Sequence, residues 1–259
     1  MRIAAIVEYD GSSFSGWQLQ NGTRTVQAEV ESAVGSVANE PIRVVVAGRT
    51  DTGVHATGQV IHFDTTAERT PHSWLSGVNA NLPEDVVFRW VNEVSDDFHA
   101  RFSATGREYH YVILNRPARP SFMRGKLTWE RRPLDTARMQ QAANDLVGRH
   151  DFSSYRTVHC QAKSAVRDMR AIKVWRSENR VVISVYANAF LHHMVRNIAG
   201  VLLYIGSGER ETSWAREVLE LRDRTQGGIT APADGLYLTR VEYPKTFQIP
   251  QLSPETGLW

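Results

Sequence analysis

Apolar and polar positions regroup along this chain in two similar rounds. In the first, Arg2 to Tyr9 is apolar and β-branched enough for a buried strand, and Asp10-Gly11-Ser12-Ser13 ends it as a turn. Phe14, Trp17 and Gln18 follow in a loop with Gly16. Thr25 is placed to cap a helix that carries Val26, Val30, Val34 and Val37 on one face. Apolar runs at 42–47 and 58–63 read as strands. Thr70-Pro71 has the form of an N-cap followed by proline at the first helical position. That helix carries Leu75, Val78 and Leu82, stops at Pro83, and gives way to a strand over Val86–Val94. The order strand, helix, strand, strand, helix, strand fits a split βαβ unit with an antiparallel sheet.

The second round starts near Gly106. Arg107 to Leu114 alternates like a strand with one polar face. Asp135 is placed to cap a helix carrying Met139, Ala143 and Leu146. Val166–Arg176 and Val181–Ala187 form a hairpin around Ser177-Glu-Asn-Arg180. A long apolar helix over about 190–206 follows, ended by Gly206-Ser-Gly208, then a shorter one from Ser213 to Leu221 and a last strand over Leu236–Val241. The expected fold is α+β: two split-βαβ halves, ferredoxin-like or RRM-like, with a mainly antiparallel sheet. The halves are expected at 1–104 and 105–245, with an irregular tail at 246–259. No fixed-period repeat joins them.

Composition narrows the class. An apolar fraction of 42% supports a real core. Thirty Lys and Arg against 28 Asp and Glu leave a net charge of +2, so a nucleic-acid partner would need that charge gathered on one face. The single Cys160 rules out an intrachain disulfide framework. The N-terminal run turns acidic at Glu8, too early for a signal peptide, and no run of about 18 uncharged apolar residues is present, so no membrane span is expected. The expectation is a soluble cytoplasmic protein. His159-Cys160 and His192-His193 each lack a full ligand set, so no metal is expected.

Three places carry candidate chemistry. The first is Ala47-Gly48-Arg49-Thr50-Asp51-Thr52-Gly53-Val54-His55-Ala56, a polar loop with two glycines between strand-like runs. Such loops are favoured sites for reactive groups, although an Asp in a turn also commonly caps backbone N–H groups. The second is Phe190 to Tyr204, where Arg196 is the one formally charged residue. Helical spacing aligns His192, Arg196 and Gly200. A buried Arg needs an acceptor, and either a structural ion pair or a functional role supplies one. The third is Arg107-Glu-Tyr-His-Tyr111, whose Tyr109 and Tyr111 share a strand face. Either can be a core residue with its hydroxyl at the edge. Arg24, Arg49, Arg101, Arg107, Arg167, Arg222 and Arg224 lie beside these stretches. Singly each reads as a surface charge; together they could follow an RNA backbone.

Gly-Arg-Thr-Asp-x-Gly-Val-His-Ala at 48–56 resembles the active-site signature of the tRNA pseudouridine synthase A family, and Phe190-Leu-His-His-Met-Val-Arg-Asn-Ile198 resembles its second signature. Tyr9-Asp-Gly with Gly16-Trp-Gln, His150-Asp-Phe-Ser-Ser, Val166-Arg and Ala231-Pro-Ala-Asp-Gly-Leu-Tyr-Leu extend the likeness to about Pro244. Thr52 departs from the alanine or lysine more usual there. The resemblance implies a uridine-to-pseudouridine isomerase acting on the anticodon stem-loop of tRNA at positions 38–40. It implies Asp51 as catalytic nucleophile, Arg196 as its partner across a central catalytic cleft, and Tyr109 as the ring that stacks on the target uracil. Arg49 and His55, with Tyr109, are the expected substrate contacts. A homodimer without cofactor or metal is implied. The competing readings are a non-catalytic RNA-binding module and a carboxylate-dependent hydrolase, which would want a second carboxylate at a set distance.

Overall fold

The computed structural model describes residues 1–158, 160 and 162–252 and divides into two compact units. Among the described residues the first comprises Met1–Thr105 and 237–252; the second comprises Gly106–Leu236. In the first unit the elements are β1 (Arg2–Tyr9), α1 (Val26–Ala38), β2 (Val45–Val46), β3 (His55–Asp64), α2 (Pro71–Asn81) and β4 (Val86–Val94). In the second they are β5 (Gly106–Asn115), β6 (Thr128–Glu130), α3 (Thr136–Asn144), β7 (Gly148–Asp151), β8 (Val166–Ser177), β9 (Arg180–Ala187), α4 (Met194–Gly206) and α5 (Trp214–Leu221). A last strand, β10 (Leu236–Glu242), counts with the first unit from Tyr237 on.

In the first unit β1 lies between β3 and β4 and is antiparallel to both. β2 pairs antiparallel with β3 at Val45↔His62, and β10 runs parallel to β3 at Tyr237↔His55 and Leu238↔Ala56. The chain thus leaves β1, crosses through α1 and returns as β2 two places away, with β3 in between. Gly58 admits this pairing, since a Cβ there would lie 2.2 Å from the Thr239 carbonyl oxygen. Val26, Val30 and Val34 of α1 are fully buried, each worth about 1.5–3 kcal/mol relative to exposure. Thr25 holds the N-cap position without a side-chain capping bond, and its buried Oγ1 has no partner. Thr70 does cap α2, its Oγ1 accepting from the Ser73 N–H at 3.1 Å. The buried pair on α2 is Trp74 and Val78, with Leu75 half-buried, because the Trp74 ring packs edge-on against Phe63 at 5.4 Å.

In the second unit β9 lies between β5 and β8, antiparallel to both, and β7 extends the edge beside β8. β6 runs parallel to β5. The path β5, α3, β8 skips the place that β9 fills, a second split βαβ. Asp135 caps α3, its Oδ1 accepting from the Ala137 and Arg138 N–H groups. The fold is α+β with mostly antiparallel pairing. Among the described residues no helix is long and apolar enough to cross a membrane.

Several elements differ from the pattern. The run 42–47 pairs only at Val45–Val46; Ile42 and Val44 are buried by packing rather than by a ladder. α3 ends at Asn144, so Leu146 lies beyond it, though still buried. α4 begins at Met194 because His193 adopts φ +62° and the Met194 N–H bonds the Leu191 carbonyl, which closes a separate turn. His192 is therefore off the helix and out of line with Arg196 and Gly200. Ser213 precedes α5 without a side-chain cap. In the tail, a short turn at Lys245–Phe247 sets the Phe247 ring 5.3 Å from Phe98. Residues 253–259 and His159 lie outside the described residues.

Candidate active site

The first unit presents the Asp51 loop. It leaves β2, and the Ala47 N–H bonds the Val60 carbonyl at 2.8 Å, fixing its base against β3. The Val54 N–H bonds the Asp51 carbonyl at 3.1 Å, closing a four-residue turn with Gly53 at φ +78° in the third place, where such a turn favours glycine. Asp51 is half-buried; Arg49 and Thr52 are exposed. Among the described residues the Arg49 guanidinium makes no hydrogen bond or ion pair, which leaves it available beside Asp51.

A buried polar chain holds the loop from below. Gln59, fully enclosed in β3, donates to the Gly48 carbonyl at 2.7 Å and to the Tyr9 hydroxyl at 3.3 Å. Tyr9 Oη and Thr50 Oγ1 are 2.7 Å apart and share a hydrogen bond. On another side the Trp17 N–H bonds the Thr50 carbonyl at 3.0 Å. Gly16 sits at φ +86°, where a Cβ would come 2.8 Å from that carbonyl oxygen and 3.1 Å from the Asp51 carbonyl carbon. Gly11 is tighter still, since a Cβ would overlap the Val54 carbonyl oxygen at 2.0 Å. Tyr9-Asp-Gly and Gly16-Trp-Gln are thus the bracing of the loop.

His55 opens β3 and is 1% exposed. Its ring stacks on Tyr237 with centroids 4.6 Å apart, and its Nδ1 accepts from the Gly11 N–H at 3.0 Å. The Asp10 Oδ1 also lies 3.1 Å from Nδ1, but one nitrogen cannot accept from Gly11 and donate to Asp10 at once. The Gly11 bond is directed and buried, while Asp10 already accepts from the Ser12 N–H and hydroxyl, so Nδ1 carries the lone pair. His55, expected from its position in the signature as a substrate contact, is thus placed beneath the loop, with the Gly11 N–H and the Tyr237 ring against it.

The second unit presents Tyr109 and Arg196. The two tyrosines of β5 differ in surroundings. Tyr111 is fully buried, its hydroxyl 2.6 Å from Thr128 Oγ1 and donating to the Pro232 carbonyl at 2.9 Å; burial pushes its phenol upward. It fits the core reading. Tyr109 is half-buried, opposite Val185, and meets Phe190 edge-on at 5.1 Å.

Arg196 lies in the first turn of α4. Its Nε donates to the Ala231 carbonyl at 2.8 Å, and the Ala231 N–H returns a bond to the Arg196 carbonyl at 3.1 Å. One turn later Gly200 lets the segment pass, since a Cβ would overlap the Ile229 carbonyl oxygen at 1.9 Å. The same segment braces β5, where the Val112 N–H bonds the Gly235 carbonyl at 2.8 Å. Residues 229–235 therefore fix the guanidinium and the tyrosine strand together. In the sequence this segment stands out only by its family likeness, and Gln59 only as a lone amide in a run otherwise suited to burial.

Four of the other basic residues singled out in the sequence bond groups of their own unit, while Arg101 and Arg222 are exposed. Arg24 forks onto Asp85 at 2.7 and 2.9 Å and reaches Glu29. Arg224 donates to Asn197 Oδ1, Thr230 Oγ1 and the Gly228 carbonyl. Arg167 donates to the Ser164 and Val166 carbonyls, and Arg107 to that of Asn188.

A family profile described as tRNA pseudouridine synthase matches residues 5–103 and 142–244. A protein of Nitrosococcus oceani named tRNA pseudouridine synthase A is 55% identical over 259 residues, covering 100% of each chain. One of the same name from Alcanivorax borkumensis is 53% identical over 100% of this chain and 97% of its own. Another, from Methylococcus capsulatus, is 55% identical over 95% of this chain and 91% of its own. A solved structure titled as a Cbf5-Nop10-Gar1 complex covers 92% of this chain and 58% of its own at TM-score 0.38 and 12% identity, too weak a likeness to bear on fold or function.

Proposed function

The chain belongs to the tRNA pseudouridine synthase family and isomerises uridine to pseudouridine in tRNA; from that premise we propose that it acts on the anticodon stem-loop at positions 38–40, with Asp51 as the catalytic carboxylate. The net change breaks the bond from C1′ to N1, forms one from C1′ to C5, and moves a hydrogen from C5 to N1. Nothing is oxidised or reduced, so the chemistry calls for no cofactor. Asp51 serves either by attacking C1′ as the glycosidic bond breaks or by taking a ribose proton to give a glycal; both routes need one aimed carboxylate. Its half-buried place in a loop braced on three sides supports that role.

Arg196 is proposed to hold and orient the carboxylate, a task suited to a rigid fork of N–H donors. Its Nε bonds the Ala231 carbonyl, which fixes the plane of the guanidinium. Tyr109 is proposed to stack on the extruded uracil, an interaction worth about 1–3 kcal/mol. Arg49, exposed beside Asp51, is proposed to contact the nucleotide, and His55 to support the loop from beneath. A homodimer and a cytoplasmic setting complete the reading, on family likeness.

The observation that carries it is the match of the braced Asp51 loop and the Arg196 helix to both signatures in a chain of such high full-length identity. The test is Asp51→Asn. Pseudouridine formation in tRNA falls below detection while tRNA affinity stays within a few-fold. Ordinary turnover by that variant overturns the assignment.

A further inference from the structure

The link between β5 and β6 has a composition unlike the rest of the chain. From Arg116 to Trp129 it carries four cations, Arg116, Arg119, Arg124 and Lys126, and no carboxylate. It joins two parallel strands, so it must travel the length of the pair, and both ends are fixed. Leu114 pairs with Trp129, whose indole Nε1 donates to the Arg116 carbonyl at 2.9 Å. Arg116 Nε in turn donates to the Ala118 carbonyl at 3.0 Å. Pro117 and Pro120 stiffen the outgoing limb. On the return, the Lys126 N–H bonds the Met123 carbonyl at 3.1 Å around Gly125 at φ +75°.

This frame displays Phe122 at its tip, 94% exposed, with Arg119 and Arg124 exposed on either side. Among the described residues neither of those arginines pairs with a carboxylate. A flat ring held in water between unpaired cations suits a ligand that offers phosphates and a base face together. A second copy of this chain suits it poorly, since a two-fold contact centred here would set four cations against their own copies.

Resting on the tRNA reading above, we infer that residues 116–126 form a second RNA-contact element. Arg119 and Arg124 take backbone phosphates, and Phe122 stacks on an unpaired base. That base is not the reacting one: six residues of extended strand separate Tyr109 from Asn115, where the loop departs, roughly 20 Å. The element grips the tRNA several nucleotides away from the chemistry and contributes to affinity rather than to turnover.

The test compares wild type, Phe122→Ala and the double variant Arg119→Gln/Arg124→Gln, using unmodified tRNA transcript as the probe. Binding is measured from about 50 to 300 mM KCl, independently of turnover. Phe122→Ala is expected to weaken binding roughly 5- to 100-fold. The double variant is expected to lower the slope of log affinity against log salt by about one to two. Both keep wild-type kcat at saturating tRNA and show a raised KM. Affinity and slope within twofold of wild type overturn the inference, as does a change in the variants' mass by light scattering, which assigns the loop to contacts between copies. Wild type that binds tRNA through this loop yet forms no pseudouridine overturns the functional reading and leaves the loop standing.

Discussion

Replacing Gly200 by alanine sets helix propensity against packing at the point where Arg196 is held. Propensity alone makes the change stabilising by about 1 kcal/mol in a helix interior. Here the new Cβ lies 1.9 Å from the Ile229 carbonyl oxygen, a backbone atom. Ordinary contact needs about 3.5 Å, so α4 and the 229–231 segment must part by about 1.5 Å. Overpacking of this kind costs about 1–3 kcal/mol. The same movement stretches the bond from Arg196 Nε to the Ala231 carbonyl and the return bond from the Ala231 N–H. A hydrogen bond from a charged group is worth about 1.5–3 kcal/mol. The net expectation is a loss of about 2–3 kcal/mol, or roughly 5–10 °C in the melting transition that includes the second unit. A catalytic group displaced by about 1 Å can lose roughly a hundredfold in rate, so pseudouridine formation should fall at least tenfold. Calorimetry and a single-turnover assay on the same preparation read both effects. An alanine variant that melts higher than wild type and keeps full turnover refutes the packing account of Arg196.

Gly16→Ala combines a strained φ with contact against the Thr50 carbonyl, and should cut kcat far more than tRNA affinity, checked by parallel binding and turnover assays. Tyr111→Phe leaves Thr128 Oγ1 and the Pro232 carbonyl without their partner and should destabilise by about 1–3 kcal/mol in urea unfolding, while Tyr109→Leu should leave stability within about 1 kcal/mol and reduce turnover. His62 is held neutral: burial, then the charges of Arg2 and His99, lower its pKa from 6.5 to about 4. The unfolded chain takes up a proton that the folded state resists. The stability is therefore whole above about pH 6.5 and is lost as pH falls toward 4, by up to about 3 kcal/mol. His62→Gln, which can still accept from the Ala100 N–H, should flatten that part of the curve of unfolding free energy against pH.

Elements with local signals were legible in the chain. Thr70-Pro71, Asp135 and the turn at 177–180 each name their own boundary, and Val26, Val30 and Val34 report the buried face of α1 by spacing alone, with Val37 half-buried at its end. The start of α4 was not, because Phe190 and Leu191 continue the apolar pattern upstream and nothing in a histidine announces φ +62° at residue 193. Nor was the membership of β10, which depends on Tyr237 pairing with His55 across most of the chain. At the site, the signatures pointed to the loop and the helix, but spacing could not tell Tyr109 from Tyr111. The difference lies in the surroundings: Thr128 and Pro232 around a fully buried Tyr111, and Phe190 beside a half-buried Tyr109. His55 shows the same limit, since a histidine facing a ligand and one enclosed beneath a loop read alike in sequence.

The most direct test is chemical mapping of pseudouridine in an unmodified tRNA transcript carrying uridine at positions 38, 39 and 40, after incubation with the purified protein or its Asp51→Asn variant. Signal confined to those positions, present with wild type and missing with the variant, is the predicted result. Signal at other positions, equal signal from the variant, or release of free uracil contradicts it.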